Sequence, residues 1–203
     1  MPSRAELKIK AKEQIKGKIG ILFAIFLIFL AISVVVGLIP ILGGIVSLLI
    51  SGPVALSFSM IFLNVTKGGK PKIGDLFEGF KYFGKSLALL LLIGIFTFLW
   101  SLLLIVPGII KAFSYSQSFY ILANNPNMTA REALKESMKI MNGHKWEYFV
   151  LELSFILWIL LVMVTFGIAL IYVYPYMEAT LANYYRALSG NTAEAPAVAG
   201  TTI

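Results

Sequence analysis

The sequence has no cysteine and very few charged residues. Asp, Glu, Lys and Arg make up 13% of its 203 residues, against about 25% in an average soluble domain. The lack of cysteine excludes a disulfide-stabilised secreted domain. A hydrophobic content of 59% excludes a disordered chain and a water-soluble globule. The composition therefore indicates a protein that crosses a membrane several times.

Charged residues are also absent from long continuous stretches of the chain. The longest stretch extends from Ile19 to Thr66, whereas one helix needs only about 20 apolar residues to cross the hydrocarbon core. It therefore holds two helices, and the glycines and proline between Gly37 and Gly44 mark the turn. Later stretches break at Pro107–Gly108 and near Thr165–Gly167. The sequence predicts six transmembrane helices, at about 19–38, 43–64, 86–106, 108–124, 146–165 and 168–188.

Lysine and arginine are concentrated on one side of these predicted helices. Of the 17 basic residues, all except Lys111 precede the first helix, lie in the segments after the second and fourth, or end the sixth. Cytoplasmic loops carry the excess of basic residues, so we expect both termini on the cytoplasmic side of a plasma membrane. The net charge of +7 then reflects this topology and an attraction to anionic lipids, and it does not indicate nucleic-acid binding.

Each cytoplasmic segment contains a pattern that starts a helix. Ser3 with Glu6 and Thr129 with Glu132 have the spacing of capping boxes, and Asp75 is the corresponding cap of the middle segment. Each segment has an apolar face but is too short and too charged to cross a bilayer, so we expect amphipathic helices in the headgroup layer. These predicted interfacial helices cover about 3–17, 75–84 and 129–142.

The fold class that follows is an all-α membrane domain over residues 1–188. It consists of three transmembrane hairpins, each preceded by an interfacial helix. The three similar units suggest an internal triplication of the sequence, with chance resemblance among hairpins as the alternative. The second, fourth and sixth helices carry small and polar residues that allow close helix packing, which predicts an inner layer surrounded by the other three. Residues 189–203 have no periodicity and are predicted to be a disordered tail.

Ionisable residues inside predicted transmembrane helices are candidates for function, because each is costly unless it is paired or hydrated. Glu152 and Glu178 are expected at similar depths, about 10 Å from the cytoplasmic side. They form a proton or cation site if they are neighbours, or they are hydrogen-bonded structural residues. Lys111 near the outer face is either an interface anchor or a contact for a lipid phosphate.

Polar side chains in the predicted inner layer suggest a cavity. The fourth helix is the most polar and must face protein or water, although helix packing explains its composition equally well. The candidate cavity-lining residues are Ser114, Gln117, Ser118, Tyr174, Tyr176 and Asn183. At the inner interface, His144, Lys145 and Trp146 are candidates for contacts with lipid headgroups, with simple interfacial solvation as the alternative.

The residue types needed for common catalytic sites are scarce. The chain has one histidine, one aspartate and no cysteine, which leaves no aspartyl dyad, serine–histidine pair or zinc ligand set. We therefore expect a protein that is not an enzyme and has no metal or cofactor.

Five short motifs of the sequence form a recognisable set: Gly52–Leu56, Asp75–Phe80, Ile105–Lys111, Gly143–Trp146 and Pro175–Ala179. Together they resemble a prokaryotic integral membrane family called domain of unknown function 975. The resemblance covers about residues 3–188, with Ser57 where family members often have glycine. The membrane region of multi-pass glycerophosphodiester phosphodiesterases is also similar, but that region is not catalytic, so no hydrolase activity is implied. The family supplies no agreed activity and no catalytic residues.

Three functional hypotheses follow from the sequence. The first is a non-enzymatic accessory or protective factor of the bilayer with a lipid- or amphiphile-binding inner cavity. The second is a small secondary transporter or channel that uses Glu152 and Glu178. The third is a structural partner of another membrane protein or of further copies of the same chain.

Overall fold

The computed structural model describes residues 2–39 and 42–190. Within these ranges the chain forms ten α-helices and one 3₁₀ helix and contains no strand, which confirms the all-α class. The elements are α1 (Arg4–Ile15), α2 (Ile19–Gly37), α3 (Leu42–Thr66), the 3₁₀ helix (Ile73–Tyr82), α4 (Phe83–Leu103), α5 (Ile105–Tyr115), α6 (Ser118–Asn124), α7 (Ala130–Ile140), α8 (Lys145–Leu153), α9 (Ile156–Val164) and α10 (Leu170–Leu188). The predicted tail lies outside the described residues except for Ser189 and Gly190, and so do positions 40 and 41 of the first predicted turn.

Four helical segments are long and apolar enough to cross a membrane, judged by length and composition. They are Ile19–Gly37, Gly43–Thr66, Ile73–Leu103 and Lys145–Val164. The other two predicted transmembrane helices differ from these four. The segment predicted at 108–124 is divided into α5 and α6, and α10 is less apolar because it carries tyrosines, Glu178, Asn183 and Arg186.

The predicted turn at Pro107–Gly108 is wrong by three residues. The chain turns at Leu104, which is extended (φ −160°, ψ 141°), and α5 begins at Ile105. Pro107 is therefore the third residue of α5. This position suits proline, because the first amides of a helix have no partner within the helix and its missing N–H costs nothing there.

Local sequence features mark several other helix ends in the structure. The turn after α9 contains Phe166 and Gly167 with φ of 49° and 89°. The capping boxes of Ser3 with Glu6 and of Thr129 with Glu132 are both formed. Helices α1 and α7 end at Ile15 and Ile140, and glycines with positive φ follow within three residues.

The prediction for Asp75 is wrong. Asp75 is the third residue of the 3₁₀ helix, and its Oδ2 accepts a hydrogen bond of 2.9 Å from the amide of Lys72. Glycines at positions 74 and 79 disfavour an α-helix in this segment. The amide of Gly79 donates to Ser57 Oγ of α3 over 2.9 Å, so the segment is held against α3.

Helix α3 is the most buried of the four long apolar segments. In the most apolar 18-residue part of α3, 44% of the residues are buried, against 11% in α2 and 11% in the segment Ile73–Leu103. The hydrophobic core lies at the end of the bundle that carries the basic segments, and it includes α1, α7 and the last turns of α3 and α10. The opposite end exposes large apolar side chains, among them Leu102, Ile105 and Phe166.

Candidate functional site

Helix α1 is packed against the ends of α3 and α10. Leu7, Ala11 and Ile15, spaced four residues apart, are buried on its inner face, as a helical repeat requires. Gln14 connects the three helices, because its Nε2 donates to Thr66 O over 2.9 Å and its Oε1 accepts from Asn183 Nδ2 over 2.6 Å. Arg186 of α10 also donates to Thr66 O.

Two lysines of α1 contact aromatic rings, one in the turn between α8 and α9 and one on α10. Lys8 Nζ lies 4.3 Å from the ring centroid of Phe155 and donates to Ser154 O over 3.1 Å. Lys12 Nζ lies 5.5 Å from the ring centroid of Tyr176. Partial burial, together with nearby Arg4 and Lys12, lowers the pKa of the Lys8 ammonium group. These contacts place α1 beside the interruption between α8 and α9.

The predicted cavity residues Ser114 and Gln117 contact α7. Ser137 of α7 donates from Oγ to Ser114 O over 2.8 Å and accepts from the amide of Gln117 over 3.2 Å. This hydroxyl therefore satisfies backbone groups where α5 ends and α6 begins. Sequence reasoning missed Ser137, although a serine on the apolar face of a predicted amphipathic helix was a usable signal.

The remaining predicted cavity residues have different neighbours. Tyr174 packs against Phe26, with ring centroids 4.4 Å apart, while Tyr176 packs against Trp158 at 5.4 Å. Asn183 is bound to Gln14, and Ser118 is fully buried in α6. Among the described residues, Ser118 Oγ and Gln117 Oε1 are buried without a hydrogen-bond partner. The six candidates are thus distributed over several contacts.

The two glutamates predicted to lie inside the membrane have different surroundings. Glu178 of α10 is half-buried, and Tyr120 Oη donates to its Oε2 over 3.4 Å. Glu152 of α8 is exposed and lies one helical turn after Tyr148, which is buried. Within residues 2–39 and 42–190, neither glutamate forms an ion pair.

Lys111 lies beside a groove between α4 and the α5–α6 segment. Its Nζ is 4.8 Å from the ring centroid of Trp100, so the side chain contacts the facing helix of the hairpin. The groove has a volume of about 550 Å³, and the hydroxyl oxygen of Thr97 is buried there without a partner in the described part of the chain. Residues that line the groove include Gly94, Thr97, Ser101, Ala112, Ser116 and Phe119.

A second pocket, of about 500 Å³, lies between the start of α1, the start of α8 and α10. Of the three headgroup candidates, Trp146 lines this pocket and is 72% exposed. His144 is held outside it, because its Nδ1 lies 3.0 Å from Glu147 Oε2 and its carbonyl accepts from Tyr184 Oη. Lys145 is half-buried at the first position of α8.

Residues 2–39 and 42–190 contain no group of three or more His, Cys, Asp or Glu side chains that could hold a metal ion.

These features define an all-helical protein in which four segments are long and apolar enough to span a membrane. The family model described as a protein of unknown function (DUF975) matches residues 1–114 and 102–192, and the chain belongs to this family. No curated protein and no solved structure gave a significant match.

Proposed function

We propose that this chain is a non-enzymatic integral membrane protein, an accessory or protective factor that binds membrane lipid. The observation that carries the proposal is the groove between α4 and the α5–α6 segment, with Lys111 at its edge. Its volume of about 550 Å³ is within the range of roughly 300–1,000 Å³ for small-molecule sites.

The proposed topology has six crossings, with α5–α6 and α10 in addition to the four apolar segments. With six crossings, every basic residue except Lys111 lies on one side of the membrane, in agreement with the positive-inside rule. The two less apolar crossings are supported by burial, because Tyr115, Tyr120, Tyr176 and Tyr184 are each at most 7% exposed and are surrounded by protein.

Cysteine labelling tests this topology without a background signal, since the chain has no cysteine. We expect Phe166→Cys to react with a membrane-impermeant maleimide in intact cells, whereas Lys70→Cys and Asn127→Cys react only after lysis. Phe166 is 98% exposed, so its reactivity depends on its side of the membrane. Labelling of Asn127→Cys in intact cells would show that α5–α6 does not complete a crossing.

The groove combines the features needed to hold a phospholipid. Phe98, Ala112 and Phe119 supply apolar walls for an acyl chain, and the lining residues Ser101 and Ala112 directly follow Trp100 and Lys111 in sequence. The ammonium group of Lys111 therefore lies where a lipid phosphate would bind, supported by the aromatic face of Trp100.

Filling the groove tests the proposal. A Cβ at Gly94 meets no atom within 4 Å, so Gly94→Leu occupies groove volume without a backbone clash. We expect this variant to lose co-purifying lipid in native mass spectrometry. The matched control is Gly20→Leu on α2, where a Cβ also meets nothing within 4 Å and which does not line the groove. Equal lipid retention by both variants contradicts the proposal.

A second candidate function is proton-coupled or cation transport through the glutamates. It is favoured by the hydrogen bond from Tyr120 to the half-buried Glu178. In proteoliposomes this function predicts a flux that Glu178→Gln abolishes and that Glu136→Gln leaves intact, because Glu136 lies on α7 with its side chain 41% exposed. The absence of flux in the unmodified protein would remove this candidate.

A further inference from the structure

The pocket at the start of α1 places two opposite charges on its walls without pairing them. Arg4 and Glu147 both line it, yet they form no ion pair with each other. In the described part of the chain, the guanidinium of Arg4 has no hydrogen bond or ion pair with another side chain. Glu147 contacts His144 and remains 53% exposed. The two walls therefore offer one positive and one negative group to a ligand that carries both charges.

The remaining walls are aromatic and aliphatic. Trp146 exposes 72% of its surface, and Tyr184 closes the side formed by α10. Leu7 and Val150 supply apolar surface. The pocket therefore offers a site for an anion at Arg4, a site for a cation at Glu147 and Trp146, and an apolar surface beside them.

We propose that this pocket binds the headgroup of a zwitterionic phospholipid. The phosphate accepts hydrogen bonds from Arg4, whose planar guanidinium matches a phosphodiester. The ammonium group pairs with Glu147 and lies over the ring of Trp146. The glycerol and the first acyl carbons contact Leu7 and Val150.

The position of the pocket along the chain agrees with this occupant. Trp146 is the second residue of the apolar segment Lys145–Val164, and exposed tryptophans at such positions lie at the level of the lipid headgroups. This inference rests on the proposed membrane location but concerns a pocket separate from the groove beside Lys111, since the two share no lining residue.

The test compares lipids in native mass spectrometry of the full chain in detergent, with phosphatidylethanolamine and phosphatidylglycerol added in turn. We expect phosphatidylethanolamine to be retained in preference. Arg4→Gln should lower its apparent affinity about tenfold through loss of a charge-assisted hydrogen bond. Glu147→Gln should remove the preference between the two lipids while phosphatidylglycerol still binds.

Two charged residues of α7 that do not line the pocket supply matched controls. Arg131→Gln and Glu136→Gln remove the same charges outside the pocket and should leave retention and preference unchanged. If Arg131→Gln weakens binding as much as Arg4→Gln, general charge attraction explains the result and the proposal fails. It also fails if the unmodified protein has no preference between the lipids. Equal binding of glycerophosphoethanolamine, which lacks acyl chains, would overturn the assignment to a lipid.

The groove variant separates this inference from the proposed function. If Gly94→Leu changes nothing while Arg4→Gln weakens the binding of phosphatidylethanolamine and Glu147→Gln loses the preference for it, the groove proposal fails and the pocket stands. If Gly94→Leu loses co-purifying lipid and Arg4→Gln behaves like Arg131→Gln, only the pocket is removed. Circular dichroism and unfolding temperatures verify that each variant is folded.

Discussion

Gly79 occupies a position on the 3₁₀ helix that has no room for a side chain. A Cβ there would lie 2.7 Å from the amide nitrogen of Ser57 and still closer to the carbonyl oxygen of Pro53. Both are backbone atoms of α3, so they cannot rotate away as a flexible side chain would. Ser57 uses its hydroxyl to accept from the amide of Gly79 and to donate to Pro53 O.

Gly79→Ala should therefore destabilise the protein by about 1–3 kcal/mol, the usual cost of overpacking. Thermal unfolding in detergent measures the effect. Gly84→Ala is the control, because a Cβ at that position meets nothing within 4 Å, and an alanine in a helix loses less conformational entropy on folding than a glycine. An equal loss of stability in both variants would show that the close approach to α3 is not the cause.

At the scale of elements, α7 is the helix whose docking compensates for an interruption in the bundle. The chain leaves regular α-helix at Ser116 and Gln117, where α5 ends and α6 begins. Ser137 is fully buried and binds the backbone of Ser114 and Gln117 on either side of this point. A helix predicted to lie on the membrane surface is thus also a structural support for the inner layer.

Ser137→Ala should cost about 1–3 kcal/mol, because the amide of Gln117 loses a buried hydrogen-bond partner. Denaturant or thermal unfolding of the purified protein measures the loss. Ser59→Ala is the comparison, since that hydroxyl donates only to Ala55 O within its own helix. If the two variants unfold alike, the contact between α7 and the α5–α6 junction contributes nothing measurable.

The start of α7 should also respond to acid. Hydrogen bonds from the amide and then the hydroxyl of Thr129 lower the pKa of Glu132. A carboxyl with a lowered pKa stabilises the fold fully above its unfolded pKa, about 4.3, and this contribution is lost as the pH falls through its lower folded value. We expect the difference in unfolding temperature between the unmodified protein and Glu132→Gln to shrink as the pH falls below about 4. A constant difference would contradict the capping role of the charge.

On the scale of the whole molecule, the exposed apolar surface is separate from the buried core. Large apolar side chains are exposed along α2, α4 and α9. The buried core lies at the end of the bundle that carries the basic segments. Such an exposed apolar surface is far more extensive than the patches of a soluble monomer. Lipid around α2, α4 and α9 would account for this exposed apolar surface.

This arrangement predicts that the effect of a new charge depends on depth. Leu160→Lys on α9, at a residue that is 49% exposed, should reduce membrane insertion by about 2.5–3.5 kcal/mol. Phe166→Lys in the turn after α9 should have little effect, because the lysine there reaches water. The yield of folded protein in the membrane fraction measures both. Equal tolerance of the two lysines would contradict a lipid-facing position for α9.

Short-range patterns were sufficient for the helical class, the caps of α1 and α7 and the turn at Phe166–Gly167. Those features depend on residues within a few positions of each other. Hydrophobic stretches likewise identified α2 and α3, because helix length is limited by the thickness of the bilayer.

Contacts between distant segments set the remaining features. The 3₁₀ helix needed Ser57 opposite Gly79, and the α5–α6 junction needed Ser137. The pocket beside Trp146 exists because α1, which precedes α8 by more than a hundred residues, folds back beside it. Helical periodicity identifies the apolar face of a segment. It does not identify the distant segment that packs against that face.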